Sequence, residues 1–313
     1  MGKLAKRNAG RGQISIMHEI VVISGKGGTG KTSLVSGLAA TGTRQVLGDC
    51  DVDASDLHLI MAPEILEAHE FINGQQAQIV PDLCTGCGLC RAYCRFQAIS
   101  EDYRVMQEHC EGCALCLHVC PESAVSMHDR HCGQWFSSST RFGPMIHASL
   151  GIGQENSGKL VSIVRKKSHQ TAQEEAAENV LGDGAPGVGC PVIASLTNAD
   201  MALLITEPTR SAFADLRRVF DLTRHFKIPC LAVINKADLN PDITVEIERF
   251  CLEYGLGVPV KLPYDQDFTR AQIQGQSIVE YHPEKWTRPM QDIRKSAAKI
   301  LKHKNNPGRN KNE

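Results

Sequence analysis

Three features that would direct this 313-residue sequence to a membrane, to secretion or to nucleic acid are missing. No apolar run approaches the ~18 residues that a bilayer-spanning helix needs, and residues 1–16 lack the apolar stretch of a secretory signal. A formal net charge of −1 offers no electrostatic reason for a nucleic-acid partner. We therefore expect a cytoplasmic protein without a membrane or nucleic-acid partner, with basic, solvated terminal segments and with Met1 or Met17 as the start of translation.

Cysteine, in contrast, is abundant, with 13 in the chain. In a reducing cytoplasm, a chain without an export signal uses cysteines for metal ligation more often than for disulfides. Eight of the cysteines fall within residues 81–128, where one pattern of cysteine spacing occurs twice. This segment is therefore predicted to bind metal.

Strand and helix patterns alternate on both sides of the cysteine-rich segment and predict an α/β fold, in which helices cover both faces of a mostly parallel sheet. Strands are predicted at residues 19–24, 45–51, 179–183, 201–206, 229–235 and 257–262. Helices are predicted at residues 30–40, 156–178, 209–226, 242–254 and 285–303. Because the cysteine-rich segment interrupts this alternation, it is interpreted as an insertion.

The insertion sets the predicted domain boundaries. They are a basic extension (1–16), the first part of the larger domain (17–62), a connecting hairpin that turns at Asn73–Gly74 (63–80), the inserted domain (81–128), a linker that packs the insert onto the larger domain (129–155), the second part of that domain (156–285), and a C-terminal helix with a basic tail (286–313).

A complete P-loop pattern follows the first predicted strand and precedes the first predicted helix. It consists of Gly25, Lys26, Gly27, Gly28, Thr29, Gly30, Lys31 and Thr32. Glycines let several backbone N–H groups converge on one anion at the positive end of a helix. We expect Lys31 to reach the β- and γ-phosphates of a nucleotide and the Thr32 hydroxyl to hold Mg²⁺.

Polar residues at the ends of later strands extend this predicted site, because an open α/β sheet binds its ligands at the carboxyl ends of its strands. Asp51 follows the second strand between Asp49 and Asp53, which are expected to cap the following turn. Asp183 begins a segment typical of Walker B and is expected on the metal side of the nucleotide. Asn235 begins an Asn-Lys-Ala-Asp pattern that could read a base, which leaves GTP as an alternative to ATP.

The cysteine spacing is that of a two-cluster bacterial ferredoxin, in which the fourth cysteine of each run ligates the other cluster. One predicted set of [4Fe–4S] ligands is Cys84, Cys87, Cys90 and Cys120. The second predicted set is Cys94, Cys110, Cys113 and Cys116. Zinc is the main alternative, although zinc sites usually pair two Cys-x₂-Cys units.

Other cysteines and one histidine are predicted to be structural. Cys230 and Cys251 are expected in the core. Cys190 is expected to pack, with ligation of a cluster between two subunits as the alternative, and Cys50 is left undecided. His147 is expected to be structural and not a ligand.

A lysine at the position of Lys26 marks the deviant P-loop of the group that contains MinD, ParA and the nitrogenase iron protein. Over about residues 17–285 the chain resembles a MinD-superfamily P-loop ATPase containing an inserted ferredoxin domain. Further stretches carry the resemblance: Trp135 to Leu150, Asn156 to Val161, and Gly189 to Ser195.

The resemblance implies a role for several site residues. Lys26 would act beside Lys31 in catalysis by reaching across a nucleotide-sandwich homodimer to the partner's phosphates. Asp51 would activate the attacking water, and Asn235 would recognise adenine, which favours ATP over GTP. The C-terminal segment is unlike the membrane-targeting helix of MinD.

The combination of ATPase and ferredoxin patterns predicts an ATP-gated redox protein, in which nucleotide-driven dimer switching is coupled to electron transfer through two clusters toward a redox partner protein. The alternative is an ATPase that assembles or carries an iron–sulfur or other metal cluster for a partner protein. A MinD-like positioning switch is a third and weaker hypothesis.

Overall fold

The computed structural model describes residues 17–151 and 157–305, with side chains as far as residue 302. The strands are β1 (His18–Ser24), β2 (Gln45–Asp49), β3 (Glu64–Ile79), β4 (Val125–Thr140), β5 (Gly143–Leu150), β6 (Asn179–Pro186), β7 (Met201–Thr206), β8 (Cys230–Ile234) and β9 (Val260–Lys261). The helices are α1 (Lys31–Ala40), α2 (Leu57–Met61), α3 (Leu89–Tyr93), α4 (Leu115–Val119), α5 (Ser157–Glu174), α6 (Cys190–Leu196), α7 (Arg210–His225), α8 (Pro241–Glu253), α9 (Asp267–Ile273), α10 (Ile278–Tyr281) and α11 (Pro283–Asn305). The predicted basic extension and the end of the basic tail lie outside the described residues.

All of these strands belong to one sheet, in the order β3-β4-β5-β2-β6-β1-β7-β8-β9. The strands from β5 to β9 along this order are parallel to their neighbours, whereas β3, β4 and β5 pair antiparallel. The predicted α/β fold with a mostly parallel sheet is confirmed.

Apolar residues that alternate along the central strands supply a core on each face of the sheet. On β1, Val22 packs with residues of α1 and α11, whereas Val21 and Ile23 pack with residues of α6, α7 and α8. Trp286, near the start of α11, is 1% exposed. The C-terminal helix is therefore part of the main core and not an appendage to it.

The predicted hairpin at Asn73–Gly74 is wrong. Strand β3 continues through this dipeptide and pairs with β4 on both sides of it, with a shift of register between Ile72 and Gln75. Gly74 has φ +77°, a conformation that serves a β-bulge as well as a tight turn. An Asn-Gly pair signals a left-handed backbone, and it does not decide between these two structures.

Most of the predicted linker at residues 129–155 is regular structure, since it lies in β4 and β5. These strands join the main sheet through the parallel pairing of β5 with β2. The serine run Ser137–Ser139 hides the alternation of apolar and polar residues from which a strand would be predicted. Together β3, β4 and β5 form an antiparallel extension of the sheet, which we call the ribbon.

The cysteine-rich segment lies between β3 and β4, at the end of the ribbon. It has a small core of its own, in which Ala77 and Val125 of the ribbon pack with Ala98 and Cys110. Within the described ranges, no helix combines the length and the apolar character that crossing a bilayer requires.

Candidate functional site

A cleft of about 600 Å³ lies at the carboxyl ends of the central strands. Its walls include Ser24, Gly27, Gly28, Gly30, Lys31, Thr32, Asp51, Pro186, Asn235 and Lys236. The ends of β1 and β6, the start of α1 and the loops after β1, β2 and β8 supply these residues, as expected for the ligand crevice of an open α/β sheet. The structure thus brings together predicted residues that are distant in sequence.

The P-loop has the close backbone packing that its glycines permit. A Cβ added to Gly30, which has φ +92°, would lie 2.5 Å from Nδ2 of Asn235. A Cβ on Gly25 would lie 2.3 Å from Cβ of Asp215 on α7. The close packing of Gly30 against Asn235 and of Gly25 against Asp215 fixes the position of the loop. The loop leads into the amino end of α1, where free backbone N–H groups can bind an anion.

Asn235 braces this loop from the end of β8. Its Nδ2 donates to the backbone oxygen of Thr29 at 2.9 Å, and its Oδ1 accepts from the backbone N–H of Lys236 at 3.0 Å. Asp238, the last residue of the Asn-Lys-Ala-Asp pattern, accepts a hydrogen bond from the backbone N–H of Tyr264 at 2.6 Å. Base recognition by Asn235 stays a prediction, and its bracing role was not foreseen.

The Lys31 ammonium lies between two carboxylates at the bottom of the cleft. Its Nζ is 2.8 Å from Oδ1 of Asp183 and 3.0 Å from Oδ2 of Asp51. Burial lowers the pKa of Lys31, but the two carboxylates outweigh burial and raise the pKa above its usual value. Lys31 is therefore a fixed cation at the place where a nucleotide would present its phosphates.

Asp49 holds the loop that bears Asp51. Its Oδ1 accepts from the backbone N–H of Asp51 at 3.1 Å, and its Oδ2 accepts from the Ser55 hydroxyl at 2.7 Å. Full burial, followed by the charge of Asp183, raises the pKa of Asp49 to about 8. The predicted turn-capping role agrees with these bonds, whereas Asp53 is exposed.

Asp183 on β6 lies beside Asp49 on β2, since the two residues are partners in the parallel register. Asp183 is 1% exposed, and its Oδ2 has no hydrogen-bond partner among the described residues. A buried carboxylate oxygen without a partner is rare in folded proteins. At the cleft wall, Asp51 and Thr32 offer the oxygen ligands that Mg²⁺ prefers, and Asp183 lies behind them, in contact with Lys31.

Lys26 contacts a residue that sequence reasoning missed. Its Nζ is 3.2 Å from Oε1 of Glu207, while Oε2 of Glu207 is 3.0 Å from Nζ of Lys236. Burial raises the pKa of Glu207, but its bonds with the two lysines prevail and lower it. Glu207 directly follows β7, so the rule that site residues follow parallel strands could have found it.

The eight cysteines of the cysteine-rich segment line two separate cavities. The first cavity is lined by Cys84, Cys87, Cys90 and Cys120. The second is lined by Cys94, Cys110, Cys113 and Cys116. The grouping coincides with the two predicted ligand sets. Among the described residues, no three or more His, Cys, Asp or Glu side chains are arranged to hold a single metal ion.

The repeated spacing corresponds to a repeated backbone. Helices α3 and α4 occupy equivalent positions, and each follows a residue in the left-handed conformation, Gly88 or Ala114. The backbone N–H of Ala98 donates to Sγ of Cys94 at 3.4 Å, and that of Ala124 donates to Sγ of Cys120 at 3.3 Å. The fourth cysteine of each run thus accepts an equivalent hydrogen bond.

Most of the remaining predictions on cysteine and histidine agree with the structure. Cys251 is buried, Cys230 is half-buried, and Cys50 is buried against the ribbon. The packing predicted for Cys190 is wrong, because this residue is exposed at the start of α6. His147 is buried and 2.9 Å from the Ser138 hydroxyl, consistent with a structural role.

A P-loop at the carboxyl edge of a parallel sheet, with its lysine against two aspartates, defines a P-loop nucleotide-binding protein. The chain belongs to the CobQ/CobB/MinD/ParA nucleotide-binding domain family, whose model matches residues 20–278. Two proteins of Methanocaldococcus jannaschii are similar to it. The uncharacterized protein MJ0578 is 36% identical over 230 residues, which cover 72% of this chain and 81% of that protein. The uncharacterized protein MJ0579 is 24% identical over 298 residues, which cover 86% of this chain and 94% of that protein.

Solved structures with the same fold include the septum site-determining protein MinD of Pyrococcus horikoshii complexed with Mg-ADP. That comparison has a TM-score of 0.53 at 16% identity and covers 90% of this chain and 98% of that one. The ATP complex of a Cyanothece McdA variant has a TM-score of 0.55 at 14% identity, covering 91% and 97%. At these identities the likeness shows the fold alone.

Proposed function

We propose that the chain is an ATPase that carries two [4Fe–4S] clusters and couples nucleotide-driven dimerisation to electron transfer. The observation that carries the proposal is that the described part of the chain combines a P-loop cleft with two cysteine-lined cavities. The cleft holds a lysine and aspartates, and each of the two cavities is lined by four cysteines. The ribbon connects them.

The charges of the cleft support binding of a nucleoside triphosphate with Mg²⁺. Lys31 offers a cation to the phosphates, while Asp183 and Asp51 offer carboxylate oxygens that a bound Mg²⁺ or its water ligands would contact. Asp51 at the cleft wall is the proposed residue for orienting the attacking water. ATP is favoured over GTP because Asp238, which would have to bond guanine, is engaged with the Tyr264 backbone.

The cysteine cavities support iron–sulfur clusters better than zinc. A cubane takes four thiolates, and each cavity is lined by four cysteines that come from two runs of the repeated spacing. Apolar side chains such as Ile79 and Val125 line the first cavity, and backbone N–H groups donate to Sγ of Cys94 and Cys120. Such clusters, when bound, supply one-electron transfer with potentials set by hydrogen bonds to sulfur and by solvent exposure.

A continuous set of contacts links the Asp51 loop to the ribbon that carries the cysteines. Cys50 and Val52, on either side of Asp51, pack in one apolar cluster with Phe71 of β3 and Cys132 of β4. The backbone N–H of Leu150 on β5 donates to the Val52 oxygen at 3.2 Å. A movement of the Asp51 loop would therefore displace residues of all three ribbon strands.

The dimer is the part of the proposal that depends on Lys26. This lysine is 41% exposed at the rim of the cleft, so its side chain is accessible to a second copy of the chain. As in the deviant P-loop group that the chain resembles, we expect Lys26 to contact the phosphates held by the partner.

Metal and sulfide analysis of anaerobically prepared protein tests the cluster part. We expect about eight iron and eight sulfide per chain, four of each per cluster. Cys87→Ala and Cys113→Ala each change an exposed cysteine, one from each cavity, and should lower both contents toward half. Cys190→Ala changes an exposed cysteine outside the insert and should leave both contents unchanged.

Stoichiometric zinc without sulfide would overturn the cluster assignment. Transfer of iron and sulfide to an added apo-ferredoxin would instead favour the alternative of a cluster-carrying ATPase. Retention of both during the same incubation supports the redox function.

A further inference from the structure

Glu207 occupies a position that controls the reach of Lys26. It follows β7, and the P-loop follows β1. Because β7 and β1 are parallel neighbours in the sheet, Glu207 lies beside the P-loop. Its carboxylate is 13% exposed and has a different lysine on each oxygen, Lys26 on Oε1 and Lys236 on Oε2. The charge of Lys26 is therefore held against its own chain.

The backbone of Lys26 is fixed, so that only its side chain can swing. The hydroxyl of Ser24 donates to the Lys26 carbonyl at 2.8 Å, and the Thr29 hydroxyl donates to the same oxygen at 3.4 Å. A swing of the side chain would break one ion pair and leave these backbone contacts in place.

Lys236 makes the release of Lys26 energetically accessible. If Glu207 had a single partner, the departure of Lys26 would leave a largely buried carboxylate uncompensated, which is strongly unfavourable. Lys236 is held near Glu207 by a left-handed backbone, with φ +56°, and stays 3.0 Å from the carboxylate. Glu207 therefore keeps a counter-ion when Lys26 leaves.

We propose that Glu207 is a positioning residue that holds Lys26 on its own chain and sets how readily a second copy of the chain can engage that lysine. This inference rests on the proposed nucleotide-dependent dimer. It gives Glu207 the role of an intramolecular competitor: the carboxylate and the partner's phosphates contend for the same ammonium group.

Glu207→Gln keeps the side-chain shape and removes the competing charge. Each dimer would release two Lys26–Glu207 pairs. An ion pair with one exposed partner, here Lys26 at 41%, is worth up to about fivefold in an equilibrium constant. We therefore expect the dimer dissociation constant with a non-hydrolysable ATP analogue to fall by several-fold, and by about 25-fold at most. Sedimentation velocity over a series of protein concentrations measures this constant.

The salt dependence of the dimer dissociation constant distinguishes a charge effect of Glu207 from a merely structural role. Because ionic strength screens exposed ion pairs, the difference between wild type and Glu207→Gln should shrink as salt is raised. Glu246→Gln is the matched control, since it removes the carboxylate that pairs with Arg210 on the exposed surface and leaves Lys26 untouched. It should dimerise like the wild type.

Lys26→Ala separates the two levels of the proposal. If wild type dimerises with the analogue, Lys26→Ala does not, and Glu207→Gln matches wild type at every salt concentration, the role of Glu207 is wrong and the dimer stands. If wild type shows no nucleotide-dependent dimer, the dimer and the role of Glu207 are both overturned. Glu207→Asp, whose shorter side chain reaches Lys26 less well, should lie between wild type and Glu207→Gln.

Discussion

Three aspartates lie near the Lys31 ammonium, and burial, together with this imbalance of charge, shifts the local pKa values. Burial and the neighbouring Asp183 raise the pKa of Asp49 to about 8. Burial also raises the pKa of Asp51, although Lys31 opposes the effect. A complex of Mg²⁺ with a nucleoside triphosphate would supply a cation for the aspartates and an anion for Lys31, so it would relieve both sides of the imbalance.

The roles of Lys31 and Asp51 can be separated by substitution. Lys31→Ala removes the cation that faces the phosphates and should abolish nucleotide binding while leaving the iron content intact. Asp51→Ala should keep ATP bound and slow hydrolysis by about a hundredfold or more, the usual contribution of a positioned acid or base. Equilibrium binding of a fluorescent ATP analogue and phosphate release under single-turnover conditions measure the two effects.

Asp53→Ala is the control for that pair of variants, because Asp53 is an exposed aspartate in the same loop. It should bind and hydrolyse ATP at the wild-type rate. Hydrolysis by Asp51→Ala at the wild-type rate would mean that Asp51 does not orient the attacking water.

Single residues differ in how far they could be predicted. The P-loop at the cleft and the grouping of the eight cysteines around two cavities could be, since fixed local spacing brings these residues together. Glu207 and the bracing role of Asn235 could not, because each depends on which strands are neighbours in the sheet. Cys190 was predicted to pack, yet it begins a helix at the surface, where a sequence pattern says little about exposure.

At the scale of elements, Arg141 adds hydrogen bonds between the ribbon and the cleft side of the molecule to the pairing of β5 with β2. Arg141, in the turn between β4 and β5, donates to the Ile60 and Met61 carbonyls at the end of α2. It also pairs with Glu280 on α10. Because α2 follows the Asp51 loop, these bonds tie the end of that segment to the ribbon, and the bond from Leu150 to Val52 ties its start.

His147 joins β4 to β5 within the ribbon and makes the stability of this region dependent on pH. Its Nε2 is 2.9 Å from the Ser138 hydroxyl, and its ring stacks on Phe136 at 4.9 Å. Burial, followed by the charge of His58, lowers the pKa of His147 from 6.5 to about 4. The folded state therefore binds this proton less readily than the unfolded state does.

The sign of the pH effect follows from that difference. The contribution of neutral His147 is fully present above pH 6.5 and is lost as the pH falls toward 4, so that the free energy of unfolding should decrease by about 2 kcal/mol between pH 7 and pH 5. His147→Gln does not titrate and should lack this component. Urea denaturation at both pH values, with exposed His225→Gln as the control, measures it. Equal pH dependence in wild type and His147→Gln would contradict the assignment.

The ribbon is also where sequence reasoning failed. Buried parallel strands such as β7 are continuous apolar runs and were predicted, since both faces lie in the core. Strand β3 is largely exposed and polar, so neither of its faces gives a clear pattern. Its bulge at Asn73–Gly74 and the serine run of β4 carry turn-like residues inside extended strands.

At the scale of the whole molecule, the apolar clusters form a chain between the two proposed functions. The main cores cover the two faces of the sheet, and a separate small core lies under the cysteine cavities. Between them, the cluster that contains Cys50, Val52, Phe71 and Cys132 joins the Asp51 loop to the ribbon. The proposed coupling would pass through this cluster, whose side chains connect the Asp51 loop with the ribbon.

Coupling between the two functions has a thermodynamic requirement. ATP can change the state of the clusters only if it binds with different affinity to the oxidised and the reduced protein. Linkage then requires that bound nucleotide shift the reduction potential by the same coupling free energy. A coupling of about 1–3 kcal/mol, typical of linked sites, corresponds to roughly 40–130 mV for a one-electron couple.

Redox titration of the protein with and without a non-hydrolysable ATP analogue and Mg²⁺ tests this coupling most directly. The account predicts a shift of roughly 40–130 mV in at least one cluster potential. In Lys31→Ala, which should not bind the nucleotide, the potentials should be unaffected by the analogue. Potentials that agree within error with and without nucleotide in the wild type would contradict the account, because the cleft and the cysteine cavities would then be independent modules on one chain.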